Sequence, residues 1–213
     1  MTEASQATSP GRVRKHWLER RRAVFGMLVL TPFVVAAVTS PLPRGPEAWR
    51  VTLTIMGWIL FLSGATLRLW STLYIGGRKG DSIVDHGPYS IVRNPLYLGS
   101  VFITVSLAFF LQSATLAAGM IPASIAYLFI TLRSEERRLA SNHGAAYLDY
   151  CRRVPRLIPN WRKWKSAAEI EVDVRCLAIE GWRSLRWLTT PVLAIFLMQL
   201  RTEPWWPHWF DLP

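Results

Sequence analysis

The chain predicts an all-α fold: a multi-pass transmembrane helix bundle of four spans, plus a short fifth span or interfacial helix. Three observations predict it. Hydrophobic residues make up 51% of the 213 residues and charged residues only 18%, a poorer charge content than soluble domains carry. The apolar residues gather into runs close to the length of a bilayer crossing. The basic residues flank those runs, and residues 133–186 alone hold 12 of the 25 lysines and arginines. The positive-inside rule places that segment in the cytoplasm. Counting spans back puts the N-terminus and the 75–94 connector on the same side; in a bacterium the membrane is the inner one.

The formal net charge of +11 would suit nucleic acid in a soluble protein. Beside apolar runs it reads as attraction to the anionic headgroups of the membrane lipid bilayer, and no nucleic-acid partner is expected. Cys151 and Cys176 form no CxxC pair, so reduced thiols are expected, with neither a disulfide framework nor a metal site. Tryptophans such as Trp17, Trp49, Trp161, Trp164, Trp187 and Trp205 border the apolar runs, as in an aromatic belt.

In chain order, residues 1–22 are a disordered tail with a basic second half, and residues 23–213 form one domain. The run Ala23–Val38 follows a basic flank but lacks a small-residue cleavage site, so it reads as a retained first span and not a signal peptide. A Pro-rich turn covers 39–50. The second span runs from Val51 to about Tyr74, with Gly57 and Gly64 offering close helix approach. Arg68 in its last third must snorkel or face a polar cavity, and snorkelling is the simpler expectation.

Residues 75–94 form a polar connector without the spacing of a phosphate-binding loop. The third span starts at Pro95, where a missing N–H costs nothing, and ends near Leu111. Gln112-Ser113 makes a tight hairpin into the fourth span, Ala114 to about Leu132, interrupted by Pro122. Ile170, Val174, Leu177, Gly181, Leu185 and Leu188 fall at helical spacing. Glu169–Arg175 also alternates with period two, as a strand would, but the alternation breaks at Cys176–Ile179, so an amphipathic helix is expected there. The run 187–200 holds Pro191 and is either a thin fifth span or an interfacial helix. The Trp-rich tail from Glu203 reads as an interfacial anchor.

Two polar segments flank the third and fourth spans on one side of the membrane. The hairpin therefore brings Tyr97 and Glu135 to similar depth. Glu135 and Glu136 sit near a helix C-terminus, where anions are not favoured, so they need cationic company. Ion pairing with Arg133, Arg137 or Arg138 is the simple reading, and a cationic ligand is the functional one. Tyr147, Tyr150, Arg152, Arg153 and Arg156 read either as a lipid headgroup clamp or as the solvated face of an interfacial helix. Trp161 to Lys165 read as membrane-surface anchoring. His143 reads as a surface histidine, and His86 borders the turn.

Gly87-Pro88-Tyr89, Arg93-Asn94-Pro95-Leu96-Tyr97-Leu98-Gly99, Glu135-Glu136, Gly144, Tyr147, Tyr150 and Arg153-Val154-Pro155 together resemble the isoprenylcysteine carboxyl methyltransferase family. That family is related to the phospholipid N-methyltransferases, and the resemblance covers about residues 50–160 in two ordered blocks. It implies S-adenosylmethionine bound at the cytoplasmic rim. Four cofactor-contacting positions fall on Asp81, Ser82, Ile83 and Val84, where the family begins with His. The turn tyrosine falls on Tyr89 and the cofactor glutamate on Glu135. The family's Arg-His-Pro-x-Tyr reads Arg93-Asn94-Pro95-Leu96-Tyr97, so Asn94, Pro95, Leu96 and Tyr97 join the cofactor set. Arg93, Asn94 and Tyr97 form the candidate catalytic group. The arginine that meets a prenylcysteine falls on Thr131, and Arg133 and Arg156 are the remaining candidates for binding the acceptor.

The implied activity is methyl transfer to a lipid-like or prenylated acceptor carrying a carboxylate, phosphate or amine. Two alternatives share the fold: an NADPH-dependent membrane reductase, and a non-catalytic membrane scaffold.

Overall fold

A computed structural model describes residues 27, 31, 34–35, 46–77, 82–201 and 203–206, excepting the side chain of Thr115. The expected tail at 1–22, most of the first span, the turn at 39–45, Asp81 and the end of the Trp-rich tail lie outside the described residues. Apart from an isolated bridge at Ser82, the regular structure described is helical. Its elements are α1 (Glu47–Ile75), α2 (Pro88–Ile91), α3 (Pro95–Leu111), α4 (Ala114–Arg153), α5 (Val174–Trp187) and α6 (Thr189–Leu200), with a single 3-10 turn at Trp161–Lys163.

Among the described residues, α1 and the Leu116–Arg153 part of α4 are long and apolar enough to cross a membrane, and α3 is a shorter apolar helix. At about 1.5 Å per residue α1 is roughly 43 Å long, enough for a hydrocarbon core of about 30 Å. Helix α6 is about 18 Å long and falls short of that thickness. It packs instead on α3, burying Pro191, Ala194 and Met198.

Helices α1 and α3 lie antiparallel along a seam that small residues make possible. A Cβ on Gly64 would stand 2.7 Å from the Gly99 carbonyl oxygen, and one on Gly99 would stand 2.7 Å from that of Gly64. Two turns away, Gly57 lies under the Phe110 ring, where a Cβ would be 2.9 Å from the nearest ring carbon. At the far end Gln112 donates to the Arg50 carbonyl at 3.1 Å and to Thr54 Oγ1 at 3.2 Å. Phe61, Ile103, Leu107, Phe110, Leu111 and Leu116 fill the space beside the seam. In a bilayer such backbone proximity replaces the hydrophobic effect as the source of helix association.

The hairpin between α3 and α4 is as short as expected. Gln112 takes a left-handed conformation (φ 46°), and the Ser113 hydroxyl caps α4 by accepting from the Leu116 amide at 3.3 Å. Such a cap satisfies one of the helix's orphan donors. Helix α4 does not stop at Leu132; it continues to Arg153. Its stretch before Gly144, roughly 45 Å long, already outruns a hydrocarbon core of about 30 Å, so its later part belongs to the rim. Pro122 lies inside it, and Gly144 breaks it with φ 54° and ψ −127°, a backbone conformation suited to glycine.

Two expectations need correction. The amphipathic helix begins at Val174, because Asp173 caps it by accepting from the Cys176 amide at 3.0 Å; residues 169–173 are not helical. That bond holds the Asp173 carboxyl below its ordinary range. Arg68 does not snorkel. Its guanidinium meets the buried Glu180 of α5 at 2.7 Å, and it donates to the Leu96 carbonyl at 3.3 Å and to Ser100. Glu180 is also held by Arg183 at 2.5 Å. A buried carboxylate of this kind persists because it is paired, and it ties α5 to α1.

Candidate functional site

The two sequence blocks meet at one end of the bundle. Residues 155–165 return alongside the 87–94 turn in the opposite direction. The Arg93 amide donates to the Pro155 carbonyl, the Asn160 amide to that of Ile91 and the Gly87 amide to that of Lys165, each at 2.9 Å. The Lys165 amide donates to Ser90 Oγ at 3.0 Å, and Ser90 Oγ donates to the Gly87 carbonyl at 2.7 Å. Gly87 has φ 59°, and a Cβ there would stand 2.3 Å from the Tyr74 ring, so the turn demands glycine for both reasons.

These contacts frame a cleft enclosing about 650 Å³ of space, open solvent at its mouth included. Its walls come from five parts of the chain. Ile75 ends α1; Ser82, Ile83 and Val84 follow; Tyr89, Arg93 and Asn94 come from the turn; Leu96 and Tyr97 begin α3; Glu135, Leu139, Tyr147 and Tyr150 come from α4. Of the residues singled out from sequence, Pro95 is buried at the helix start but does not line the cavity, and Arg133 is exposed. Arg156 also stands outside the lining. Thr131, at the position of the family's substrate arginine, is 3% exposed.

Tyr147 and Tyr150 correct the reading of 147–156 as a solvated face. They are 4% exposed each and form a small core with Val154 against Ile83 and Leu139. The Tyr150 hydroxyl donates to the Tyr89 carbonyl at 2.8 Å. That bond fastens the end of α4 to the turn. The glycine at 144, already present in the motif, was the signal that the helix changes direction before these tyrosines. Nothing in the pattern pointed to Ile75 or Leu139.

The adjacent glutamates take different partners. Glu135, on the cavity wall, pairs with Arg138 at 2.7 Å, one turn along the same helix, as simple ion pairing expects. Glu136 pairs across the fold instead, with Arg93 at 3.3 Å and Arg156 at 2.8 Å. The Arg156 guanidinium also lies 5.8 Å from the centroid of the Phe129 ring, within cation–π range. Arg93 Nε, Arg156 Nε and Glu136 Oε1 are buried without a hydrogen-bond partner among the described residues. Buried polar atoms of this kind call for a partner such as a water, an ion or a ligand group, and of the three residues only Arg93 lines the cavity. The Asn94 side-chain amide donates to the Arg156 carbonyl at a long 3.5 Å.

Burial pushes the phenols of Tyr89, Tyr147 and Tyr150 well above the ordinary tyrosine value, and neighbouring phenols, or the Cys151 thiol beside Tyr147, add to the effect. At neutral pH they are uncharged hydrogen-bonding groups and offer no base. His86 lies beside the Tyr74 ring and Asp85, outside the lining. Cys151 and Cys176 are free thiols. Among the described residues, no three His, Cys, Asp or Glu side chains gather into a metal-binding group.

Comparison with known proteins gives this arrangement a family. Residues 50–146 match the phospholipid methyltransferase family model. The chain is 31% identical over 202 residues to the nickel-cobalt-cadmium resistance protein NccN of Alcaligenes xylosoxydans xylosoxydans, covering 92% of each chain. It is 44% identical over 73 residues to methanethiol S-methyltransferase 2 of Bradyrhizobium diazoefficiens, covering 33% of this chain and 26% of that one. To the protein-S-isoprenylcysteine O-methyltransferase of Xenopus laevis it is 29% identical over 125 residues, 54% of this chain and 43% of that one. No solved structure matches the chain. The apolar helices and these relatives identify an integral membrane protein, and the chain belongs to the phospholipid methyltransferase and isoprenylcysteine methyltransferase-like family of S-adenosylmethionine-dependent membrane methyltransferases.

Proposed function

We propose that the protein transfers a methyl group from S-adenosylmethionine to a lipid-like or prenylated acceptor at the cytoplasmic face of the membrane. The observation that carries this reading is the rim cavity, in which Arg93, Tyr97 and Glu135 from the two sequence blocks share one wall space. The donor set fits the cofactor. Arg93 offers a buried, unpaired Nε and with Tyr97 suits the methionine carboxylate. Glu135 suits ribose hydroxyls. Ile83, Val84, Leu96 and Leu139 supply apolar surface for a base and exclude water. Ser82, Tyr89 and Asn94 hold the remaining wall, and Asp81, at the head of the same run, belongs to the proposed set.

When bound, the cofactor supplies an electrophilic methyl group on a sulfonium. The protein's part is to hold donor and acceptor in line and dry. The buried tyrosines provide no base, which suits an acceptor already carrying negative charge, a carboxylate or phosphate, better than a protonated amine. Arg156 and Arg133 are the acceptor-side cations in this reading. The buried threonine at 131 removes the arginine that would meet a prenylcysteine, and this favours a lipid-like acceptor.

The NccN similarity over 92% of both chains favours a second reading, in which the same fold serves metal resistance without methyl transfer. One experiment separates them. Purified protein is titrated by thermal shift with S-adenosylhomocysteine and with NADPH. Stabilisation by S-adenosylhomocysteine, lost in Glu135→Ala, supports methyl transfer. A response to NADPH alone, or to neither ligand, overturns it. Transfer of a labelled methyl group to total membrane lipids then names the acceptor class.

A further inference from the structure

A second concave site lies on the other side of the Gly87–Ser90 turn from the methyl-transfer cavity. It encloses about 730 Å³, open solvent included, and is lined by Asp85, Ser90, Arg153, Val154, Arg162, Lys163, Trp164 and Lys165. Four cations and one carboxylate line it, and Asp149 beside it also pairs with Arg153, at 3.0 Å. Asp85 is already committed: Arg153 holds it at 3.1 Å and Lys165 at 3.2 Å. Burial would raise its carboxyl, but those two hydrogen bonds outweigh that and hold it below the usual range. Lys163 Nζ donates to the Arg153 carbonyl. The Arg162 side chain is exposed and has no carboxylate partner among the described residues. The cleft therefore carries an excess of positive charge.

Its depth relative to the membrane follows from one contact. Trp164 stacks on Trp70 of α1, with centroids 5.5 Å apart and planes 27° from parallel. Trp70 lies in the last turns of a helix long and apolar enough to span. The cleft is thus pinned beside a span's end, where headgroups lie. Ile158 and Trp161 on the same returning segment are 82% and 66% exposed, offering apolar contact next to the cations.

We propose that this cleft binds the phosphate of an anionic phospholipid headgroup, with Arg162 and Lys163 as the cations that meet it and Trp161 and Ile158 beside the acyl region. The combination of unneutralised cations and exposed apolar side chains at one depth suits an amphiphile better than a soluble anion. The binding is independent of the methyl-transfer reading: Tyr89 faces one cavity and Ser90 the other. The site also touches the turn through the Lys165 amide's bond to Ser90, so an occupied cleft braces the backbone that carries Tyr89.

The test uses the full chain in detergent, read by native mass spectrometry against phosphatidylglycerol, phosphatidylcholine and inorganic phosphate. Phosphatidylglycerol should be retained in preference to phosphatidylcholine. Its affinity should fall about fivefold in Arg162→Ala and about thirtyfold in Arg162→Ala/Lys163→Ala, at roughly one headgroup contact's worth of attraction per charge. Arg162→Lys should restore most of the loss. Equal retention of both lipids, or unchanged retention in Arg162→Ala, overturns the proposal. Displacement of the lipid by millimolar inorganic phosphate assigns the cleft to a free anion and overturns it as well. The single Arg162→Ala variant, which removes an exposed side chain, gives the answer even if the double variant does not fold.

Discussion

The seam between α1 and α3 and the rim where α3 and α4 meet the returning segment are held by opposite means. At the seam, Gly64 and Gly99 bring two backbones together and Gly57 admits the Phe110 ring; the contact is made of shape. At the rim, Glu136 joins Arg93 to Arg156, Asp85 joins Arg153 to Lys165, and main-chain bonds tie 155–165 to 87–94. Lipid offers no hydrophobic drive between helices, so close packing decides there. Water competes at the rim, so position is held by paired charges and by backbone groups that must be satisfied. The difference implies that the seam governs whether the protein folds, while the rim governs the geometry of the cavity.

The largest effect is expected at the seam. Gly99→Leu places atoms where the Gly64 carbonyl already stands, and overpacking of this kind costs about 3 kcal/mol or more; little folded protein should survive size-exclusion chromatography in detergent. Gly119 is the control, because a Cβ there meets nothing within 4 Å. Gly119→Ala should leave stability unchanged or raise it by up to about 1 kcal/mol through helix propensity, read as an equal or higher melting temperature. Equal tolerance at both positions would remove shape as the explanation.

Next comes the pair of glutamates. Glu136→Ala leaves two arginines facing each other, part-buried and unneutralised, at a cost of about 3 kcal/mol. Glu135→Ala breaks only a pair within one helix turn, worth about 0.5 kcal/mol. Thermal unfolding of the two variants should therefore differ clearly, and similar melting temperatures would break the distinction between rim scaffold and cavity wall. Tyr150→Phe removes the bond to the Tyr89 carbonyl, about 1 kcal/mol, and should weaken S-adenosylhomocysteine binding more than it lowers the melting temperature.

The smallest effect is a pH dependence. Asp85 has its folded value depressed. Its contribution is present above the unfolded carboxyl value of about 3.9 and is lost as pH falls through the lower folded value. With the carboxylate about a third exposed, the contribution at neutral pH is at most about 0.5 kcal/mol. The melting temperature of Asp85→Asn should start slightly lower at pH 7 and converge with wild type as the medium is acidified below about pH 4. A gap that widens in acid would reverse the assigned sign.

Sequence by itself determined the helical class, the start of α3 at Pro95, the short hairpin at Gln112-Ser113 and, through that hairpin, the arrival of Tyr97 and Glu135 at one end of the bundle. These are properties of local hydropathy, turn chemistry and loop length, which act over a few residues and are legible without coordinates. It also singled out Gly57 and Gly64 as places of close approach, but not the partners Phe110 and Gly99. Tertiary structure alone decided that Arg68 faces Glu180, 112 residues away, and that Glu136, not Glu135, joins the two blocks. It decided as well that Tyr147 and Tyr150 turn inward past the break at Gly144. A charged or amphipathic side chain near a membrane surface has two low-energy places to go, water or a partner. Which one it takes depends on whether a distant segment arrives to satisfy it, and periodicity along the chain does not record that.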